Sequence, residues 1–232
     1  MSTVGTRDEW RAKRAELLAR EKDMSRLRDE LSAARRELPW VPVEESYAFQ
    51  TTEGVRTLSQ LFGERSQLLV YHFMFGPDWD EGCPSCSFWM DCLDGTPVHL
   101  AHRDVEFVVV SRAPLDRLQA YRRRMGWRFP WVSSLGNRFN FDYGVSFTDD
   151  QRRDGAEYNF RLVARPHDEL HGVSAFAKDA SGAVFHTYST YARGLDVLNG
   201  CYQLLDLVPK GRDEAKLADP AAWLRRHDAY DD

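Results

Sequence analysis

Only four of the 232 residues are cysteine, at positions 83, 86, 92 and 201. That is too few for a scaffold of this length to be stapled by disulfides, and it leaves redox or metal chemistry as the use of two closely spaced thiols. No run approaches the roughly 18 apolar residues that cross a bilayer. The opening residues, Met1 to Glu9, contain no apolar stretch, so no secretory signal is expected. There is no basic excess either. The formal charge is −5 and the pI about 5.8, which removes the electrostatic basis for general nucleic-acid binding. What remains is 43% hydrophobic and 29% charged, a mix that suits a soluble globular chain with a sizeable core.

The first stretch also lacks breakers. Between Gly5 and Pro39 there is neither glycine nor proline, and residues 7–38 hold ten Lys or Arg against eight Asp or Glu. Trp10, Leu17, Met24, Leu31 and Leu38 recur every seven residues. The pattern predicts a long amphipathic helix, with a break allowed near Asp23-Met24-Ser25 and an end at Pro39 and Pro42. It reads either as a helix with a solvated charged face or as a dimerisation helix. Lys13 and Arg20 at companion positions make a poor coiled-coil seam.

Beyond it the pattern turns to alternating strand and helix. Strands are expected at 46–51, 68–75, 105–111, 173–178 and 184–188. Helices are expected as one turn at 57–62, at 85–93 with a resumption near 97–103, at 114–125, and at 195–208. The segment 136–172 is polar and aromatic with no clear period. Two strands joined by a crossover helix form a parallel pair; Asp179-Ala180-Ser181-Gly182 marks a closing hairpin. This is the layout of a thioredoxin-like domain: an α/β mixed sheet flanked by helices. The expected organisation is a helical extension over 1–42, a thioredoxin-like domain over 43–211 with an insertion at about 136–172, and a tail over 212–232, where Trp223, His227 and Tyr230 suggest one docked helix.

Cys83-Pro84-Ser85-Cys86 falls where the strand at 68–75 hands over to a helix. Unpaired N–H groups at a helix start carry a partial positive charge that favours a thiolate, the form that attacks disulfides. The second sulfur at this spacing can resolve the mixed disulfide. Cys83 is thus the candidate nucleophile and Cys86 the resolving thiol. Asp80 and Glu81 oppose the thiolate if they lie close. Trp79 and Trp89 are candidate walls of a substrate groove. The rival is zinc, with Cys83, Cys86, Cys92 and His99 as nominal ligands; a helix lies between these positions, and no resident metal or cofactor is expected. Cys201 reads as a core residue. His72 reads as a core histidine or, being near the loop, as one facing the sulfurs.

Seven aromatics crowd residues 127–147, with Arg128 and Arg138 among them. They read as core packing or as a wall over the cysteine groove, in which case Trp127 and Trp131 join the candidate groove residues. Two cations are too few for a base-stacking surface. Tyr188 and Arg193, after the hairpin, could approach the site; Arg193 could instead pair with Asp196.

Several strings together resemble a bacterial family of thioredoxin-like proteins of unknown function, labelled predicted dithiol-disulfide oxidoreductases. They are Arg35-Arg36-Glu37-Leu38-Pro39-Trp40, Tyr71-His72-Phe73-Met74-Phe75-Gly76-Pro77, Gly82-Cys83-Pro84-Ser85-Cys86-Ser87, Val110-Ser111-Arg112-Ala113-Pro114, Met125-Gly126-Trp127-Arg128-Phe129-Pro130-Trp131 and Tyr191-Ala192-Arg193-Gly194. The resemblance implies a thioredoxin fold and places Cys83 and Cys86 at the redox position; it implies no substrate, and the thiol pair itself leads us to expect a cytoplasmic setting and a protein or small-molecule thiol or disulfide as partner. No nucleic acid or membrane partner is implied, and a homodimer through the first helix stays open. One departure is plain. Leu170-His171-Gly172-Val173 has no proline where thioredoxins carry a cis-proline, so a weaker clamp on substrate backbone is expected. The chain also resembles peroxiredoxins. There a Thr or Ser three residues before the reactive cysteine helps to bind peroxide; here that residue is Asp80.

Overall fold

The structure, a computed structural model, describes residues 3–230. It divides into two compact units, residues 1–39 and residues 40–232. The first unit is one continuous helix, α1 (Arg7–Arg36), with no break at Met24. Thr6 opens it with a capping box: its hydroxyl accepts the Glu9 N–H, and the Glu9 carboxylate accepts the Thr6 N–H. None of its residues is buried, and Trp10, Leu17, Leu18, Met24, Leu27 and Leu31 stay about half exposed.

The second unit is built on an eight-stranded mixed sheet. In chain order come β1 (Val41–Pro42), β2 (Ala48–Thr51), β3 (Gly54–Thr57), the single turn α2 (Leu58–Leu61), β4 (Gln67–His72), α3 (Pro84–Leu93), α4 (Pro97–Ala101), β5 (Val105–Ser111), α5 (Leu115–Arg124), β6 (Trp131–Ser133), α6 (Phe139–Asp142), α7 (Asp149–Asp154), β7 (Ala156–Tyr158), β8 (Arg161–Val163), β9 (Gly172–Lys178), β10 (Val184–Tyr191), a 3-10 helix (Ala192–Leu198) and α8 (Gly200–Leu205). The sheet order is β1-β10-β9-β4-β5-β6-β2-β3, and β7 and β8 form a separate two-stranded ribbon.

The apolar runs of β4 and β5 suit strands covered on both faces, and the two pair in parallel from Gln67–Val105 to His72–Val110. On the other side β4 pairs antiparallel with β9, which forms a hairpin with β10. A parallel β-α-β unit beside an antiparallel β-hairpin that a terminal helix follows is the thioredoxin-like connectivity. Alternation along β4 sends Tyr71 to one core with Phe73, Cys86, Trp89 and Trp131. It sends Leu68 and Val70 to a second core, with Val110, Phe139 and Phe176.

Four expectations change. The strand expected at 68–75 stops at His72, because Phe73 to Phe75 leave the ladder while still bonding toward the β5 end; the Phe73 N–H reaches the Val110 carbonyl and Phe75 O accepts the Ala113 N–H. The helix expected over 195–208 is two pieces. Asn199 adopts an extended backbone (φ −97°, ψ 99°) and its side chain caps α8 by accepting the Tyr202 N–H. The tail holds no regular helix among its described residues; it docks through turns that bury Leu224. The irregular segment 136–172 contains α6, α7 and the β7–β8 ribbon, which turns through Asn159 and Phe160, both at positive φ (53° and 60°). No helix among the described residues is long and apolar enough to cross a membrane.

Candidate active site

Cys83 is the N-cap of α3, and Pro84 takes the first helical position, where a missing N–H costs nothing. The backbone holds the motif from both sides. The Cys83 N–H donates to the Met74 carbonyl (3.1 Å), and the Ser87 N–H and hydroxyl both donate to the Cys83 carbonyl (3.0 and 2.9 Å). Cys86 is buried, with the Met74 N–H directed at its sulfur (3.5 Å), while Cys83 is partly exposed.

These surroundings separate the two thiols. Hydrogen bonding from Cys86, then from the Cys86 and Ser85 N–H groups and the Ser85 hydroxyl, draws the Cys83 thiol below its ordinary value, against the opposing effect of burial. Burial and the neighbouring Cys83 push Cys86 well above its ordinary value. The fully buried Tyr71 lies beside both sulfurs; its hydroxyl has no hydrogen-bond partner of good geometry, and burial followed by the proximity of Cys86 holds it protonated. One thiol poised as a thiolate and a second held as a proton-bearing thiol can attack a disulfide and then resolve the adduct.

The loop before Cys83 is propped from α5 and the tail. Arg117 donates to the Pro77 and Trp79 carbonyls (3.1 and 2.6 Å), and Arg226 donates to the Gly82 carbonyl (2.8 Å) and to Tyr121 Oη (2.8 Å). Glu81 pairs with Arg124 and with Arg226 (3.0 Å for the latter). Its charge is therefore spent on guanidinium groups, and Asp80 is exposed. Gly82 has no room for a side chain, since a Cβ there would lie 2.7 Å from the Phe73 ring.

Trp79 is partly exposed, its indole N–H donating to the Asp168 carboxylate (3.0 Å). Trp89 is buried in α3 and donates to the Leu195 carbonyl (3.0 Å), with its ring edge-on to Phe88 and Tyr202. Trp127 and Trp131 are also buried and pack around Phe73, which accounts for them as core. Tyr188 is half-buried in β10. The Arg193 side chain is 91% exposed and meets Asp196 at 3.5 Å. Cys92 approaches Asn199 Oδ1 (3.7 Å). Among the described residues no group of three or more His, Cys, Asp or Glu is arranged to hold a metal ion, Cys83, Cys86, Cys92 and His99 included. His72 lies on the opposite face of β4 from Tyr71. Its Nε2 meets Ser174 Oγ at 2.8 Å, its ring stacks on Tyr143, and burial lowers it to about 3.

Tyr158, Arg226 and the buried pair Glu169–Arg112 were not foreseen. Glu169 is buried between Arg112 Nη1 (2.9 Å) and Ser146 Oγ (2.6 Å). Burial outweighs both partners and pushes its carboxyl from 4.5 up to about 7. A carboxyl raised on folding contributes stability while protonated. That contribution is complete below the unfolded value and is lost as pH rises through the folded one. About 3 kcal/mol should disappear between pH 4.5 and 8. Glu169→Gln should flatten this part of the stability profile in urea titrations; an unchanged slope would assign the loss to other groups.

A thiol pair heading the helix after the first strand of a β-α-β unit, beside an antiparallel hairpin, defines a thioredoxin-like domain with a Cys-x-x-Cys motif. The chain belongs to the bacterial protein family of unknown function DUF899, which matches residues 1–230. Comparison with curated proteins gave no significant match. Among solved structures it is similar to peroxidoxin BcpB from Mycobacterium tuberculosis (12% identity, TM-score 0.45, 69% of this chain and 92% of that one). It is also similar to peroxiredoxin Q from Xanthomonas campestris (14%, 0.42, 73% and 92%) and to a hypothetical protein from Sinorhizobium meliloti 1021 (15%, 0.39, 64% and 69%). At these TM-scores the likeness decides nothing about chemistry.

Proposed function

We propose that the protein is a thiol-disulfide oxidoreductase in which Cys83 attacks an oxidised sulfur and Cys86 resolves the product. The observation that carries this is the placement of two thiols in one motif, Cys83 partly exposed at the N-cap of α3 and Cys86 buried one turn inside, with which the lowering of the first and raising of the second agree. In the reducing direction the Cys83 thiolate displaces one half of a disulfide as a thiolate and forms a mixed disulfide. Cys86 then gives up its proton to a departing thiolate and attacks the Cys83 sulfur, which releases the second half. An external dithiol resets the pair, and a cytoplasmic setting suits such a cycle. Asp80 stands where a peroxiredoxin carries Thr or Ser, three residues before the reactive cysteine, so the hydroxyl at the Cys83 thiol is that of Ser85, inside the motif.

The test is alkylation followed by mass spectrometry in graded redox buffers. Cys83 and Cys86 should convert together to a disulfide while Cys92 and Cys201 stay reactive. The pH midpoint for alkylation of Cys83 should fall below the roughly 8.5 of an ordinary thiol. If the pair never oxidises, or Cys83 reacts no more readily than Cys92, the proposal fails.

A further inference from the structure

The segment before β9, residues 168–171, reaches the tryptophans on either side of the motif, Asp168 to Trp79 and His171 to Trp89, and three of its backbone groups are bonded within the protein. The Phe147 N–H donates to the Asp168 carbonyl (3.2 Å), and the Leu170 N–H donates to the Val145 carbonyl (2.7 Å). The Asp168 carboxylate holds the Trp79 indole (3.0 Å). The His171 carbonyl accepts the Tyr158 hydroxyl proton at 2.8 Å, and the same hydroxyl oxygen accepts the Ala192 N–H at 3.1 Å. Gly172 and Tyr191 are the final partners of the β9–β10 ladder. His171 and Ala192 would form its next rung, and the Tyr158 hydroxyl stands between them instead. Ala192 adopts a left-handed backbone (φ 48°), so the chain turns away at this point. Tyr158 is buried, in a cluster with Phe147, Leu170 and Tyr191. His171 packs near Trp89, three residues along the helix from Cys86, with ring centroids 6.1 Å apart.

An extended polypeptide reaches a dithiol of this kind by pairing its backbone with a free edge beside the sulfurs, since main-chain hydrogen bonds are what hold an added strand. Here the open end of the hairpin is closed by a side chain of the same protein. We propose that Tyr158 bars polypeptide from the Cys83 sulfur, so that the dithiol acts on small disulfides rather than on disulfides in proteins. This rests on the oxidoreductase reading above. The reaction is R–S–S–R plus the Cys83–Cys86 dithiol, giving two R–SH and the Cys83–Cys86 disulfide. A small dithiol reductant then returns the pair, itself closing to a cyclic disulfide.

The experiment compares hydroxyethyl disulfide with insulin as substrates, using dithiothreitol as reductant, for the wild-type chain and Tyr158→Phe. Phenylalanine keeps the ring in its cluster and removes the hydroxyl. The wild-type protein should reduce hydroxyethyl disulfide well above the uncatalysed rate and insulin no faster than dithiothreitol alone. Tyr158→Phe should raise kcat/KM for insulin at least tenfold and leave the small substrate within twofold. Catalysed insulin reduction by the wild-type protein, or a variant that changes both substrates equally, overturns the role of Tyr158 and leaves the oxidoreductase reading standing. Absence of catalysed turnover on both substrates, by the wild type and the variant alike, overturns the oxidoreductase reading itself. The wild-type comparison decides the matter even if the variant does not fold.

Discussion

Replacing Cys83 with alanine should abolish disulfide reduction, a loss of roughly 10³-fold or more, because removing a covalent nucleophile leaves only binding and background chemistry. Cys86→Ser should behave differently. Cys83 retains the helix-cap N–H groups of residues 85 and 86, so the first attack still occurs, but nothing displaces the adduct. The variant should accumulate a mixed disulfide on Cys83, seen as a mass increase equal to one half of the substrate and removed by dithiothreitol. Cys92→Ser and Cys201→Ser should retain wild-type turnover, since Cys92 turns toward Asn199 and Cys201 lies in α8. A Cys83→Ala protein that still turns over would remove the proposed mechanism. An adduct on Cys92 in place of Cys83 would assign the wrong nucleophile.

Trp131→Ala should cost about 3–5 kcal/mol of stability, the range for deleting a buried aromatic side chain. The indole is 2% exposed and donates to Ser111 Oγ at 3.0 Å, and its ring lies 4.6 Å from Phe73 between centroids. Ser111 in turn donates to the Phe73 carbonyl (2.7 Å). Losing the indole therefore opens a cavity behind Phe73 and takes one support from the residue that directly follows β4. Phe73 also underlies Gly82, so Cys83 should lose reactivity in this variant at temperatures where the fold persists. Thermal unfolding should fall by roughly 10 °C for a chain of this size. Arg193→Ala, on a 91% exposed side chain, is the control and should change stability by less than about 0.5 kcal/mol. Equal effects from the two substitutions would contradict the packing described for Trp131.

The parts of this architecture legible in the sequence are those dictated by local pattern. A run apolar except for Glu106 and ended by Ser-Arg-Ala-Pro produced the strand Val105–Ser111 with its boundaries as expected. The strand, the glycine-rich loop and the proline after Cys83 placed the thiol pair at a helix cap. Alternation in LLVYHFMF already separates Tyr71 from His72, so the side of the sheet on which each falls could have been read. The closure of the hairpin end could not. Tyr158 enters through a two-residue turn, Asn159-Phe160, where both residues have positive φ; such turns favour glycine in the second place, and phenylalanine hides the signal. Nor does a cluster of aromatics declare which side it packs on. Trp127 and Trp131 are buried behind Phe73, while Trp79, closer to the motif, is left partly exposed. The break at Asn199 is a cap inside an otherwise continuous helical pattern, and only its neighbours Leu198 and Gly200 hint at it.

The guanidinium of Arg226 grips the carbonyl of Gly82, directly before the reactive cysteine. During synthesis the ribosome delivers Cys83 and every strand of the sheet long before it delivers that arginine. The nascent chain can therefore assemble its sheet while the loop in front of the thiol still lacks its last support. Chains cut short by a nonsense codon or by proteolysis within residues 212–225 would keep both cysteines and a recognisable core. They would hold the thiols in a loop still propped by Arg117 and Arg124 from α5 but without the Arg226 grip on the Gly82 carbonyl, so the segment around Arg226 is the last of these supports to be synthesised.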